Sequence, residues 1–150
     1  MTIFAVDTDC MIAAVCVWDK RHAEASAQLE VRLARGERMS ISIQALTETY
    51  SVLTRLPLPY RLTTAEAWEL LQAMFLSQAT VISLDSTAHV EQLRLLAQEG
   101  IGGGRTYDAI IAECARRGGA SVLLTFNRRH FDPPPDGVTI VEAGSALNRP

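Results

Sequence analysis

Short apolar runs alternate with longer segments of helical period along this chain, and that alternation constrains its fold more than any other feature. The runs are Ile3-Phe4-Ala5-Val6, Met39 to Ser42, Thr80 to Leu84, Ser121 to Thr125 and Val138 to Val141. Each is brief and carries β-branched residues, as buried strands do. Helical segments lie between them, and parallel strands need such crossovers. The expected fold is therefore α/β with a largely parallel sheet.

Boundary signals sharpen the helices. Thr8 or Asp9 can cap a first helix running to Val17. Arg21 to Arg35 is closed by Gly36. From Gln44 to Leu56, the residues Leu46, Tyr50, Leu53 and Leu56 recur at helical spacing, and Pro57 and Pro59 stop the helix. Thr63 and Glu66 form a capping box that opens a helix to about Leu76. Asp85 or Ser86 caps a helix to Glu99, and Thr106 can cap one to about Arg117. Gly100 to Gly104 reads as a flexible loop and Phe131 to Gly137, with three prolines, as a stiff connection. No repeat or break divides the chain, so residues 1–150 are expected to form a single domain.

Composition removes several classes of function. Hydrophobic residues make up 48% and charged residues 21%, which excludes disorder along the whole chain. The three cysteines, Cys10, Cys16 and Cys114, form no C-x-x-C pair, which argues against a disulfide framework or zinc site and fits a reducing cytoplasm. Asp7 and Asp9 interrupt the early apolar stretch, so no signal peptide is expected. Met11 to Trp18 is too short to cross a membrane. The net charge of −3 speaks against a uniformly basic surface. It is unevenly spread: between Arg105 and Arg129, five arginines face only Asp108 and Glu113. A local basic region beside an acidic pocket is one reading, and solvated helix and loop charge is the other.

In open parallel sheets, ligands bind outside the carboxyl ends of the strands. Asp7 ends the first strand there. Asp108 lies in the first turn of the helix before the fourth strand, where the positive helix end favours a carboxylate. Asn127 follows the fourth strand, and Glu48 lies in the second turn of the helix after the second strand, off its Leu46–Tyr50–Leu53 face. Clustered carboxylates repel unless a cation compensates them. Oxygen donors suit hard ions such as Mg²⁺ or Mn²⁺, which activate water and neutralise phosphate. Taken singly, each acid reads as a helix cap or a surface charge, a reading that weakens when several acids fall at the same sheet edge.

The motifs carry a resemblance. Val6-Asp7-Thr8-Asp9-Cys10-Met11-Ile12, Ala45-Leu46-Thr47-Glu48, Tyr107-Asp108-Ala109-Ile110-Ile111-Ala112 and Leu124-Thr125-Phe126-Asn127-Arg128-Arg129-His130-Phe131 resemble, in order, the four motifs of the PIN-domain ribonucleases. Overall length and pattern look like the VapC-type toxins of toxin–antitoxin pairs. The resemblance implies a three-layer α/β/α fold with a mainly parallel central sheet. It also implies an endoribonuclease using Mg²⁺ or Mn²⁺, a homodimer, and an inhibiting antitoxin partner, with no membrane. Asp7 and Asp108 would bind metal most directly. Glu48 would complete the metal site or position the attacking water. Thr125 and Asn127 could supply hydrogen bonds, and Arg128 or Arg129 could contact RNA phosphate. Asn127 replaces the family's usual fourth acid. Asp9 stands where a neutral residue is common, and is read first as a helix cap and second as replacing that charge. His130 reads as a surface residue or packing edge.

Other classes fit less well. Asp7-Thr8-Asp9 matches the Asp-x-Asp of haloacid-dehalogenase-like phosphatases, but Met11 stands where their Thr is expected and Lys20 is the only lysine. Gly102-Gly103-Gly104-Arg105-Thr106 lacks the Gly-Lys-Ser/Thr ending of a phosphate loop. A non-catalytic PIN-fold binding module is the remaining alternative.

Overall fold

The computed structural model describes residues 1–144. Strands β1 (Ile3–Val6), β2 (Arg38–Ser42), β3 (Ala79–Ile82), β4 (Val122–Thr125) and β5 (Thr139–Glu142) form one sheet in the order β3-β2-β1-β4-β5. Every pairing is parallel. The chain starts at the sheet's centre, winds outward through β2 and β3, then returns to add β4 and β5. The direction of winding therefore switches between β1 and β4, the position at whose strand carboxyl ends open α/β sheets bind their ligands.

Helices α1 (Thr8–Val15), α2 (His22–Ala34), α3 (Ile43–Leu53), α4 (Thr64–Leu71), α5 (Ser86–Glu99) and α6 (Arg105–Arg117) link the strands. A 3-10 turn, Arg128–Phe131, follows β4. Consecutive residues are buried along β1, β2 and β4, which requires cover on both faces of the sheet. Packed on one another, α1 and α2 reach β4 and β2, while α6 packs against β2, β3 and β4. The layers enclose Phe4, Met11, Met39, Ile41, Leu123 and Leu124, all essentially inaccessible. Among the described residues, no helix is long and apolar enough to cross a membrane.

Several local expectations are met. Thr63 and Glu66 make both halves of the capping box, and Asp85 caps α5 by accepting from the Ala88 N–H. Others are corrected. The first cap is Asp7, whose carboxylate accepts from the Thr8 N–H, so Thr8 and Asp9 already lie inside α1. The buried face of α3 is Ala45, Thr49 and Leu53, with Tyr50 exposed. This helix ends at Leu53, short of the prolines, and the Ser42 hydroxyl caps its start. Thr106 does not cap α6. Gly103 and Gly104 carbonyls accept from the Thr106 and Tyr107 N–H groups, so the glycine turn itself starts the helix, with Gly104 in the cap position two residues earlier. The helix expected to run to Leu76 widens into a π-helical turn over Gln72–Leu76.

Candidate active site

The switch point fixes the first acid. Val6 pairs with Leu124 in the β1–β4 register, so the next residues, Asp7 and Thr125, emerge side by side. The Asp7 N–H donates to the Leu124 carbonyl at 2.9 Å, extending the ladder by one residue. Its carboxylate is buried, and accepts from the Thr8 N–H at 2.7 Å and from Thr125 Oγ1 at 2.8 Å. Thr125 Oγ1 in turn accepts from the Asn127 N–H at 2.9 Å.

Asp9 sits one residue into α1 and turns toward the same loop. Its Oδ2 accepts from the Phe126 N–H at 3.0 Å and from Asn127 Nδ2 at 3.3 Å. The expected role as a helix cap is thus replaced by a bridge to the β4 loop, because its side chain reaches the free N–H groups there. Its other oxygen, Oδ1, is buried and has no hydrogen-bond partner among the described residues. A carboxylate oxygen in that state is costly unless a donor or cation reaches it.

Glu48 enters from α3. Its Oε2 accepts from Thr8 Oγ1 at 2.8 Å and its Oε1 from Gln44 Nε2 at 2.9 Å. Thr8 therefore ties α3 to the end of β1, a link that local sequence signals did not suggest. Asp108, in the first turn of α6, has His130 Nδ1 at 3.4 Å from its Oδ2. His130, expected at a surface or packing edge, is half-exposed yet faces a site acid. Its place follows from the 3-10 turn, which folds residues 128–131 back against α6.

The acids share one electric field. Burial pushes the Asp7 carboxyl well above the usual carboxylate range, and the charges of Asp9 and Asp108 push it further. The Thr125 and Thr8 hydrogen bonds oppose that rise. Asp108 is raised by burial and by Glu48 and Asp9, while His130 and Arg105 pull it down. Among the described residues, no three of these side chains already stand in ligating arrangement. The donor set nonetheless fits a hard divalent cation: it is all oxygen, it carries excess negative charge, and Asp9 Oδ1 has no partner among those residues.

Asp7, Asp9, Thr125 and Asn127 thus form one hydrogen-bonded group, Glu48 joins it through Thr8, and Asp108 through the field. Arg128 and Arg129 do not join them. Both are exposed and line a groove toward Val138, Thr139 and Ile140 that contains none of the four acids. The Arg128 N–H donates to Glu142 Oε1 at 3.3 Å.

The family profile of the PIN domain matches residues 4–134. The chain is 39% identical over 139 residues to Ribonuclease VapC27 of Mycobacterium tuberculosis, covering 93% of this chain and 96% of that one. It is 31% identical over 121 residues to Ribonuclease VapC40 of the same organism, covering 81% of this chain and 84% of the other. Its fold is similar to that in the crystal structure of VapBC2 from Rickettsia felis bound to a DNA fragment from their promoter. That match has a TM-score of 0.66 at 22% identity, over 93% of this chain and 98% of that one.

Proposed function

The chain belongs to the PIN-domain family, and we propose that it is an endoribonuclease, the toxin of a VapBC-type toxin–antitoxin pair, hydrolysing RNA phosphodiester bonds at the acidic edge of its sheet. The observation that carries this reading is the gathering of Asp7, Asp9, Glu48 and Asp108 from three helices' starts and turns into one field at the switch point. Unrelieved, that much repulsion only destabilises the fold. PIN-domain ribonucleases are generally metal-dependent, and the all-oxygen donor set favours Mg²⁺ or Mn²⁺ here.

Asp7 and Asp108 would hold the cation, with Glu48 completing the set or orienting the attacking water. A bound divalent ion supplies a more acidic water and neutralises charge on the phosphate. The Thr125 hydroxyl fixes the orientation of the Asp7 carboxylate through one oxygen, while the Thr8 N–H holds the other. The Thr8 hydroxyl does the same for Glu48. Asn127, donating to Asp9, keeps the fourth position polar without adding a charge. Arg128 and Arg129 would contact phosphates outside the cleavage point rather than at it. The protein partner would be a cognate antitoxin, the working state a homodimer, and the compartment the cytoplasm.

Purified chain free of partner should cut a structured RNA in Mg²⁺ or Mn²⁺ and stop in EDTA. Asp108→Asn should reduce cleavage at least about 100-fold with unchanged circular dichroism, since a metal-holding carboxylate is worth more than the ~10–100-fold of an outer group. Cleavage that is equal with and without EDTA would overturn the mechanism. A folded chain that binds RNA but never cuts it would reassign it as a binding module.

A further inference from the structure

A groove that adjoins the acids has the chemistry of a single RNA strand. It has a volume of about 400 Å³ and runs between α3 and α6, lined by Thr8, Gln44, Glu48, Ser51, Arg55 and Tyr107. One end of it is the site itself, since Thr8 and Glu48 are bonded to each other there. The other end is Arg55, which has no ion pair among the described residues. Glu48 and Arg55 are seven residues apart, roughly 10 Å along a helix axis. At that separation Arg55 is suited to a neighbouring phosphate rather than the one at the acids. Tyr107 forms the facing wall. Tyr107 is 53% exposed, and among the described residues its ring stacks on no other ring. It shares this groove with Thr8 and Glu48, so a base resting on it lies on the Glu48 side of the site. Ser51 and Gln44 add hydrogen-bonding groups suited to sugar hydroxyls along the floor.

We propose that this α3–α6 groove carries the single-stranded RNA segment on one side of the cleaved bond, with Tyr107 as a base-stacking platform and Arg55 as a phosphate clamp. The inference rests on the ribonuclease reading. It assigns strand binding to residues distant from Arg128 and Arg129, whose groove holds no acid of the site. An exposed aromatic beside a cation and a row of hydroxyls is how sequence-tolerant single-strand binding is built.

The test is fluorescence anisotropy of a short, labelled, mixed-sequence single-stranded RNA. The parent is the Asp7→Asn chain, which removes one acidic charge and, on the reading above, cleavage. Tyr107→Ala should weaken binding roughly five- to one-hundred-fold, and Tyr107→Trp should restore it, because stacking on an aromatic is worth that range. Arg55→Ala should lower the slope of log affinity against log salt by about 0.7, the loss of one single-strand phosphate contact, and Arg55→Lys should recover it. Unchanged affinity and slope in both alanine variants would overturn the groove. So would Tyr107→Trp as damaging as Tyr107→Ala, or a change of molecular mass in Tyr107→Ala showing that the ring belongs to a subunit interface. Failure of the parent to bind also overturns it, while the metal-dependent cleavage assay on the unmodified chain reports separately on the enzyme.

Discussion

Replacing Asp7 with asparagine should stabilise the metal-free protein and abolish its stabilisation by metal. Asp7 is 5% exposed, and a charge so placed costs several kcal/mol even after relaxation. Two hydrogen bonds offset part of this, from the Thr8 N–H at 2.7 Å and Thr125 Oγ1 at 2.8 Å. Asparagine can keep both partners: its carbonyl accepts from Thr8 and its amide donates to Thr125 Oγ1. The displaced threonine proton can turn toward Asp9 Oδ2, 3.5 Å away. Bonds to a charged group contribute about 1.5–3 kcal/mol and neutral ones about 0.5–1.5, so the exchange loses about 2 kcal/mol over the pair. Against that stands the relief of burial and of repulsion from Asp9 and Asp108. The expected net gain is about 1–3 kcal/mol, roughly 3–10 °C in Tm for a chain of this size.

The sign with pH follows from the raised Asp7 value. A carboxyl bound more tightly to its proton in the folded state contributes stability that is full below its unfolded value. That contribution is lost as pH rises through the folded value. The wild-type chain should therefore weaken over that window and Asp7→Asn should not, so the gap between them widens with pH. Melting curves in EDTA at about pH 5 and about pH 8 measure it. Adding Mn²⁺ should then raise the wild-type Tm, by about 2.7 kcal/mol of stability at 100 times the dissociation constant, and leave the variant unmoved. A variant that melts below wild type in EDTA at the higher pH would refute the stored repulsion. Equal metal stabilisation of both would remove Asp7 from the metal site.

Two neighbours give complementary readings. Thr125→Val keeps the shape of a fully buried side chain but removes the donor to Asp7 and the acceptor of the Asn127 N–H. It should cost about 1–3 kcal/mol in a denaturant melt and roughly 10–100-fold in cleavage rate; wild-type values for both would show that the hydroxyl neither holds nor orients the carboxylate. Asn127→Asp replaces the amide that donates to Asp9 with a like charge. The metal-free Tm should fall as pH rises, and calorimetry should find tighter cation binding or a second bound ion; unchanged affinity and stoichiometry would mean that position 127 does not face the site.

The α/β pattern was legible because it is written in local periods. Apolar runs such as Ile3 to Val6 mark strands wherever they fall, and Thr63 with Glu66 marks a helix start within four residues. Asp7 and Asp108 were legible for the same reason, one ending a strand and one opening a helix. The local signals failed where a side chain had a distant partner. Asp9 looks like a cap in isolation, yet the free N–H groups of Phe126 and Asn127 draw it away. The helical spacing of α3 places Tyr50 on its apolar face, but packing against the rest of the core buries Thr49 instead. The strand order, the Thr8–Glu48 bond and the approach of His130 to Asp108 join residues far apart in the chain. Asp7 and Thr125 are separated by 118 positions and meet only because β1 and β4 pair in register. The sequence by itself determined which acids stand at the ends of strands and helices, since propensity and period act over a few residues. Which of those acids feel one another was decided by the tertiary structure alone, because Coulomb forces and hydrogen bonds depend on distance in space and not along the chain.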